Sequence, residues 1–122
     1  MKAAINSYRD LVVWQQAMDL AAAAYTITKA WPKEELYGLT SQLRRAASSV
    51  PANIAEGFGR ENHGSYQQFL RIAQGSLKEF ETHLLLAGRV GIATDKDIDP
   101  LMTMSESVGK LLRLLIRRLS DS

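Results

Sequence analysis

Apolar side chains recur at alternating intervals of three and four along four successive stretches of this sequence, and that spacing restricts the chain to helices packed on helices. In residues 8–30 one seam runs Leu11, Trp14, Met18, Ala21, Tyr25 and Thr28. A second seam in the same segment runs Val13, Ala17, Leu20, Ala24, Ile27 and Trp31, which leaves a polar strip of only Gln15, Asp19, Thr26 and Lys29. One bundle core accommodates one seam. The other, carrying Val13, Leu20, Ile27 and Trp31, is expected to form an oligomer interface, because an apolar patch of that size left in water drives association.

Pro32 disfavours helix at Trp31, and Glu34 and Glu35 suit the first turn of a second helix. That helix is expected over residues 36–58, with Leu36, Leu39, Leu43, Ala46, Val50 and Ile54 inward and a kink near Ala47 caused by Pro51. Ala46, Ala47, Ser48, Ser49, Ala52 and Ala55 surround the kink and permit close approach of another helix. Gly57, Gly59 and Gly64 end the segment, with residues 60–63 as the loop. The third helix, residues 65–90 with Ser65 as N-cap, has the cleanest seam: Tyr66, Leu70, Ala73, Leu77, Phe80, Leu84 and Ala87. Gly88 and Gly91 mark its end. A fourth helix over residues 98–119 turns Leu101, Ser105, Val108, Leu112, Leu115 and Leu119 inward. Helices of about 22 residues are about 33 Å long at 1.5 Å per residue. With short connections they predict one all-α domain over residues 1–122, an antiparallel up-down-up-down four-helix bundle.

The chain has no cysteine, which excludes a disulfide framework, a thiolate metal site and a cysteine nucleophile. Residues 1–10 do not read as a secretory leader, and the apolar run 17–25 is broken by Asp19 and too short for a membrane span. A cytoplasmic protein without membrane contact is expected. The formal charge of +2 is unevenly placed: four of 15 cations but one of 13 acids lie in residues 110–122. The preceding 109 residues therefore sum to −1, which argues against a uniformly basic coat and for a local patch.

No catalytic or metal constellation is visible, and no cofactor is expected. A di-iron bundle needs inward Glu-x-x-His pairs, whereas Thr82 follows Glu79 and Leu84 follows Glu81 at that spacing. Glu79 and His83, four apart, read as an exposed helical pair, and His63 as a loop residue. Gly57-Phe58-Gly59 follows a helix instead of a strand and lacks a phosphate-loop pattern. Ser76 lacks the glycines and strand-turn context of a nucleophile elbow.

Two polar alignments remain. Arg45, Ser49, Asn53, Glu56 and Arg60 form a strip on the second helix, read either as a ligand or recognition surface or as a hydrogen-bonded seam between helices or subunits near the Pro51 kink. On the fourth helix Lys110, Arg113 and Arg117 fall at i, i+3 and i+7, and Arg118 points elsewhere. Arginine forks fit phosphate oxygens. The plainer account is that these cations stabilise a helix C-terminus and pair with Glu106 and Asp121. Trp14, Tyr25, Tyr66, Phe69 and Phe80 lie on or beside apolar seams and read as core, so any nucleic-acid binding would be driven by charge and shape.

The strings at residues 8–15 (YRDLVVWQ), 37–47 (YGLTSQLRRAA), 50–57 (VPANIAEG) and 72–79 (IAQGSLKE) resemble those of the bacterial four-helix-bundle proteins encoded in intervening sequences of 23S ribosomal RNA genes. The resemblance implies a four-helix bundle assembled as a homopentameric ring, with no assigned activity. A related branch, the accessory variability determinant of diversity-generating retroelements, works beside a reverse transcriptase and contacts nucleic acid. A five-fold ring would repeat the fourth-helix cations around one axis and turn a weak patch into a strong one. The expected function is therefore a non-enzymatic, oligomeric accessory protein that binds RNA or DNA through Arg44, Arg45, Lys110, Arg113, Arg117 and Arg118. The alternatives are a protein-interaction scaffold or a reverse-transcriptase accessory subunit.

Overall fold

Capping residues decide where each periodic stretch becomes helical. The computed structural model describes residues 4–121. Asp10 accepts hydrogen bonds from the Asn6 and Ser7 amides (2.9 and 3.1 Å), which closes a separate 3-10 turn over Tyr8–Asp10. Leu11 is extended, so helix α1 spans Val12–Thr28 and is shorter than its periodicity. Lys33–Glu35 form a second 3-10 turn, and α2 spans Leu39–Phe58. Its N-cap, Gly38, has no side chain to offer, and the Glu35 carboxylate accepts the Leu39 amide instead at 3.1 Å. Leu36, expected inside, is therefore outside the helix and 46% exposed.

Helix α3 spans His63–Arg89 and begins two residues before the expected cap. Asn62 is the N-cap: its side-chain oxygen accepts the Ser65 amide at 2.8 Å, which makes Ser65 the donor and places His63 on the helix. Gly91, with φ of +80°, closes the far end, where the Ala87 carbonyl accepts the Ile92 and Ala93 amides. Helix α4 spans Asp95–Ser120. Pro51 and Pro100 both lie within helices, and each removes one backbone donor.

Each helix packs on its sequence neighbours and α1 closes the ring against α4, with no backbone approach across either diagonal among the described residues. Cross-helix partners run in opposite sequence order. Gly57 meets Tyr66 and Phe69 while Ser49 meets Ser76, and Gln67 meets Ser120 while Glu81 meets Ser105. The all-α, antiparallel bundle read from the sequence is the fold observed. The α3 seam is buried at all seven positions, and Phe80, Leu70, Leu84, Leu43, Ile54, Leu20 and Leu112 anchor the core.

The second seam of α1 turns inward, and of the first only Met18 and Tyr25 are left exposed. Val13 (5% exposed), Leu20 (0%) and Trp31 (7%) lie in this chain's own core, and Ile27 packs against it, so these four residues are not a free oligomer interface. Ala17, Ala21 and Ala24 share the buried arc. Their small side chains admit the neighbouring helices, whereas the bulky Met18 and Tyr25 stay outside with Val12. Tyr25, expected in the core, instead carries the Arg44 guanidinium over its ring at 4.6 Å.

Candidate nucleic-acid interface

The α3–α4 pair is tied at one end and again near its middle. Gln67 donates to the Ile116 carbonyl and to the Ser120 hydroxyl, and the buried Ser105 hydroxyl donates to Glu81. The second Glu81 oxygen pairs with the Lys78 ammonium at 3.2 Å, which steers an otherwise exposed side chain toward α4. Between these ties the two helices leave adjoining grooves of about 260 and 280 Å³. Lys78, Gly109 and Arg113 line both, Gln74 and Gly75 line the first, and Glu106 and Lys110 line the second.

The fourth-helix cations are all exposed, and Lys110 and Arg113 face Lys78 across this junction. Lys78 and Arg71 were missed by reasoning from one helix at a time. Arg71, Gly75 and Lys78 follow one another at i, i+4 and i+7, so they form one stripe of α3. A signal for them does exist in the sequence: residues 62–78 and 107–120 contain no Asp or Glu. The bundle brings these two acid-free stretches side by side, and they carry Arg71, Lys78, Lys110, Arg113, Arg117 and Arg118.

The macrodipole accounts for only part of this charge. Its influence falls off within the last turn, so it explains Arg117 and Arg118 at the end of α4 but not Lys110 or Arg113. Glu106 and Asp121 do not supply the expected pairing: the ion pairs seen between Lys or Arg and Asp or Glu among the described residues are Arg60–Glu56 and Lys78–Glu81.

Arg44 does not join the patch. Its Nε donates to the buried Thr28 hydroxyl at 2.8 Å while its guanidinium covers Tyr25, which fixes it on α1, away from α3 and α4. Arg45 is exposed on α2, a helix that does not touch α4. The polar strip on α2 is largely structural. Asn53 donates to the Ser49 carbonyl and hydroxyl, and Ser49 shares a 2.8 Å hydrogen bond with Ser76 of α3. Arg60 pairs with Glu56 at 2.7 Å and covers Phe69 at 4.6 Å.

Glycines separate the tight junctions from the open one. A Cβ on Gly57 would stand 2.9 Å from Phe69 Cβ and Tyr66 Cδ1, and one on Gly88 would collide with Ile98. At Gly75 it would meet nothing within 4 Å, and at Gly109 only ordinary contacts with Leu77 and Arg113. A mid-helix glycine costs about 1 kcal/mol relative to alanine, yet nothing in the packing of this chain requires either Gly75 or Gly109. Of the aromatics, Phe80 and Tyr66 are buried and Phe69 is covered, so no ring is offered for base stacking in the two grooves.

Elsewhere, Ser76 is buried on Ser49, and His83 lines a groove of about 710 Å³ at the opposite end of the bundle with Glu35, Gln42 and Leu86. Among the described residues no group of three His, Asp or Glu is placed to hold a metal ion, and no helix is long and apolar enough to cross a membrane.

Comparison with known proteins adds two findings. A family model described as 23S rRNA-intervening sequence protein matches residues 9–114. A 1.70 Å crystal structure of a protein of unknown function from the S23 ribosomal protein family of Bacteroides thetaiotaomicron VPI-5482 superposes with a TM-score of 0.78. The two chains are 23% identical, with 86% of this chain and 98% of that one covered, which shows a shared fold. No curated protein matches significantly.

Proposed function

The chain belongs to the 23S rRNA-intervening sequence protein family, and on that premise we propose that it is a non-enzymatic accessory protein that holds RNA or DNA by its phosphate backbone along the α3–α4 face. The observation that carries this reading is the juxtaposition of the two acid-free stretches, which brings Arg71 and Lys78 of α3 beside the Lys110, Arg113 and Arg117 stripe of α4. Glu81 and Glu106 also border the second groove and Glu81 pairs with Lys78, yet cations outnumber acids along this face. Lysine and arginine there would displace counterions from phosphates, a contribution that salt weakens and that carries no sequence preference. The lack of stacking rings in the grooves supports the same conclusion.

Association of several copies belongs to this reading. Met18 (44% exposed) and Tyr25 (45%), seven residues apart on one side of α1, leave an apolar stripe of the kind that another copy covers. The resemblance implies a ring of five, which would repeat the cationic face around an axis.

Titration of labelled duplex RNA and duplex DNA at two salt concentrations tests the function. Binding that weakens steeply with salt, and that is reduced for K110A/R113A/R117A, is the expected result. Equal affinity of that variant and the parent protein, or no binding at low salt, would reject it in favour of a protein-interaction scaffold.

A further inference from the structure

We infer that the slot between Gly75 and Gly109 is a seat for one phosphodiester strand, so that bound nucleic acid touches the helix backbone there instead of resting on the tips of the surrounding cations. This rests on the proposed function and makes it more specific.

Three observations converge. The slot is a cavity of about 260 Å³ floored by Leu77 and bordered by Gln74, Lys78 and Arg113, with two donor-bearing cations on opposite helices. Both glycines lie within long helices, where glycine is unfavourable, and neither is required by contacts within the chain. Glycine in such a place is the residue that lets another backbone come close. The borders also match a phosphate and not a base. Lys78 and Arg113 present N–H donors and Gln74 an amide, no carboxylate lines the slot, and no ring is present for a base to stack on. Glu81 holds Lys78 beside the entrance through their ion pair, so part of the geometry exists before any ligand arrives.

The test leaves every cation in place and fills the slot. In Gly75→Leu the new side chain enters open space, and in Gly75→Ala only a methyl group is added. Affinity for a labelled RNA duplex and for one of its single strands is measured at low and high salt, with helicity, melting temperature and molecular mass recorded for each variant. A seated strand predicts that Gly75→Leu loses roughly tenfold in affinity, equivalent to the loss of a direct phosphate contact or more, and that Gly75→Ala loses less, both with unchanged mass and an undiminished melting temperature. Loss on the duplex and the single strand alike places one strand in the slot. Loss on one alone identifies which form supplies it. If Gly75→Leu does not fold, a weakened Gly75→Ala supports the seat and an unweakened one overturns it. Folded variants that bind as the parent does would overturn the seat while leaving the cationic face intact. A change of mass would overturn it in favour of a contact between copies. Failure of the parent protein to bind either probe would remove the proposed function and the seat together.

Discussion

Gly57 and Gly75 occupy similar helical backbone, and the sequence around them gives no warning that they answer to different constraints. Gly57 sits where α2 crosses α3, with the Tyr66 carbonyl 3.1 Å from the position of an added Cβ and side-chain carbons closer still. Gly57→Ala is expected to destabilise the fold by about 1–3 kcal/mol through overpacking, whereas Gly75→Ala should stabilise it by up to about 1 kcal/mol through helix propensity. Urea denaturation of the two variants distinguishes them, and equal shifts would contradict the packing described. Glycine as a helix end was legible in Gly91, whose positive φ follows from local chain geometry. Which glycine bears a crossing was not, because that depends on a partner helix remote in sequence. Tyr66 provides a second residue-scale prediction. Burial raises its phenol above the ordinary value of 10.0, so the unfolded chain loses this proton first as pH rises. The stabilisation is complete below pH 10 and is lost above it. Tyr66→Phe should flatten the decline in stability measured between pH 9 and pH 11, roughly the interval over which a phenol ionises.

Helices α3 and α1 show how far periodicity reaches. In α3 one seam exists, and all seven of its positions are buried. In α1 two seams compete, and spacing alone cannot rank them, since ranking depends on how closely α2 and α4 approach. The alanines at 17, 21 and 24 decide it. Leu20→Ala should therefore cost about 2–5 kcal/mol of folding free energy, while Met18→Ala should change it by less than about 0.5 kcal/mol and instead weaken association between copies. Chemical denaturation and light scattering on the same two variants separate these effects. A destabilised Met18→Ala beside a neutral Leu20→Ala would restore the original order of the seams. The starts of α2 and α3 were misread for a related reason. Glu35 and Asn62 accept the first amides of these helices through side chains that reach across a turn, whereas periodicity starts the second helix at Leu36 and makes Ser65 the cap of the third.

Across the whole molecule the positive surplus lies toward one end of the bundle. Glu34, Glu35, Asp95, Asp97 and Asp99 lie among Lys29, Lys33, Arg89 and Lys96 at the end where α1 meets α2 and α3 meets α4, which is close to neutral, and the acid-free stretches of α3 and α4 occupy the other half. A net charge of +2 conceals this division. The fourth-helix cations were legible as a stripe, and Arg44 was a reasonable candidate until the fold committed it to Thr28 and Tyr25. Arg71 and Lys78 lie some forty residues from their α4 counterparts, and only antiparallel packing unites them. The central claim is that both helices contribute to one phosphate-binding face. Its most direct test is the salt dependence of RNA affinity for Arg71→Ala/Lys78→Ala, a variant with α4 untouched. Two lost phosphate contacts should weaken binding at low salt and reduce the slope of log affinity against log salt by close to 2, at about 0.9 per contact. Affinity and slope identical to those of the parent protein would show that α3 takes no part, and would contradict the account.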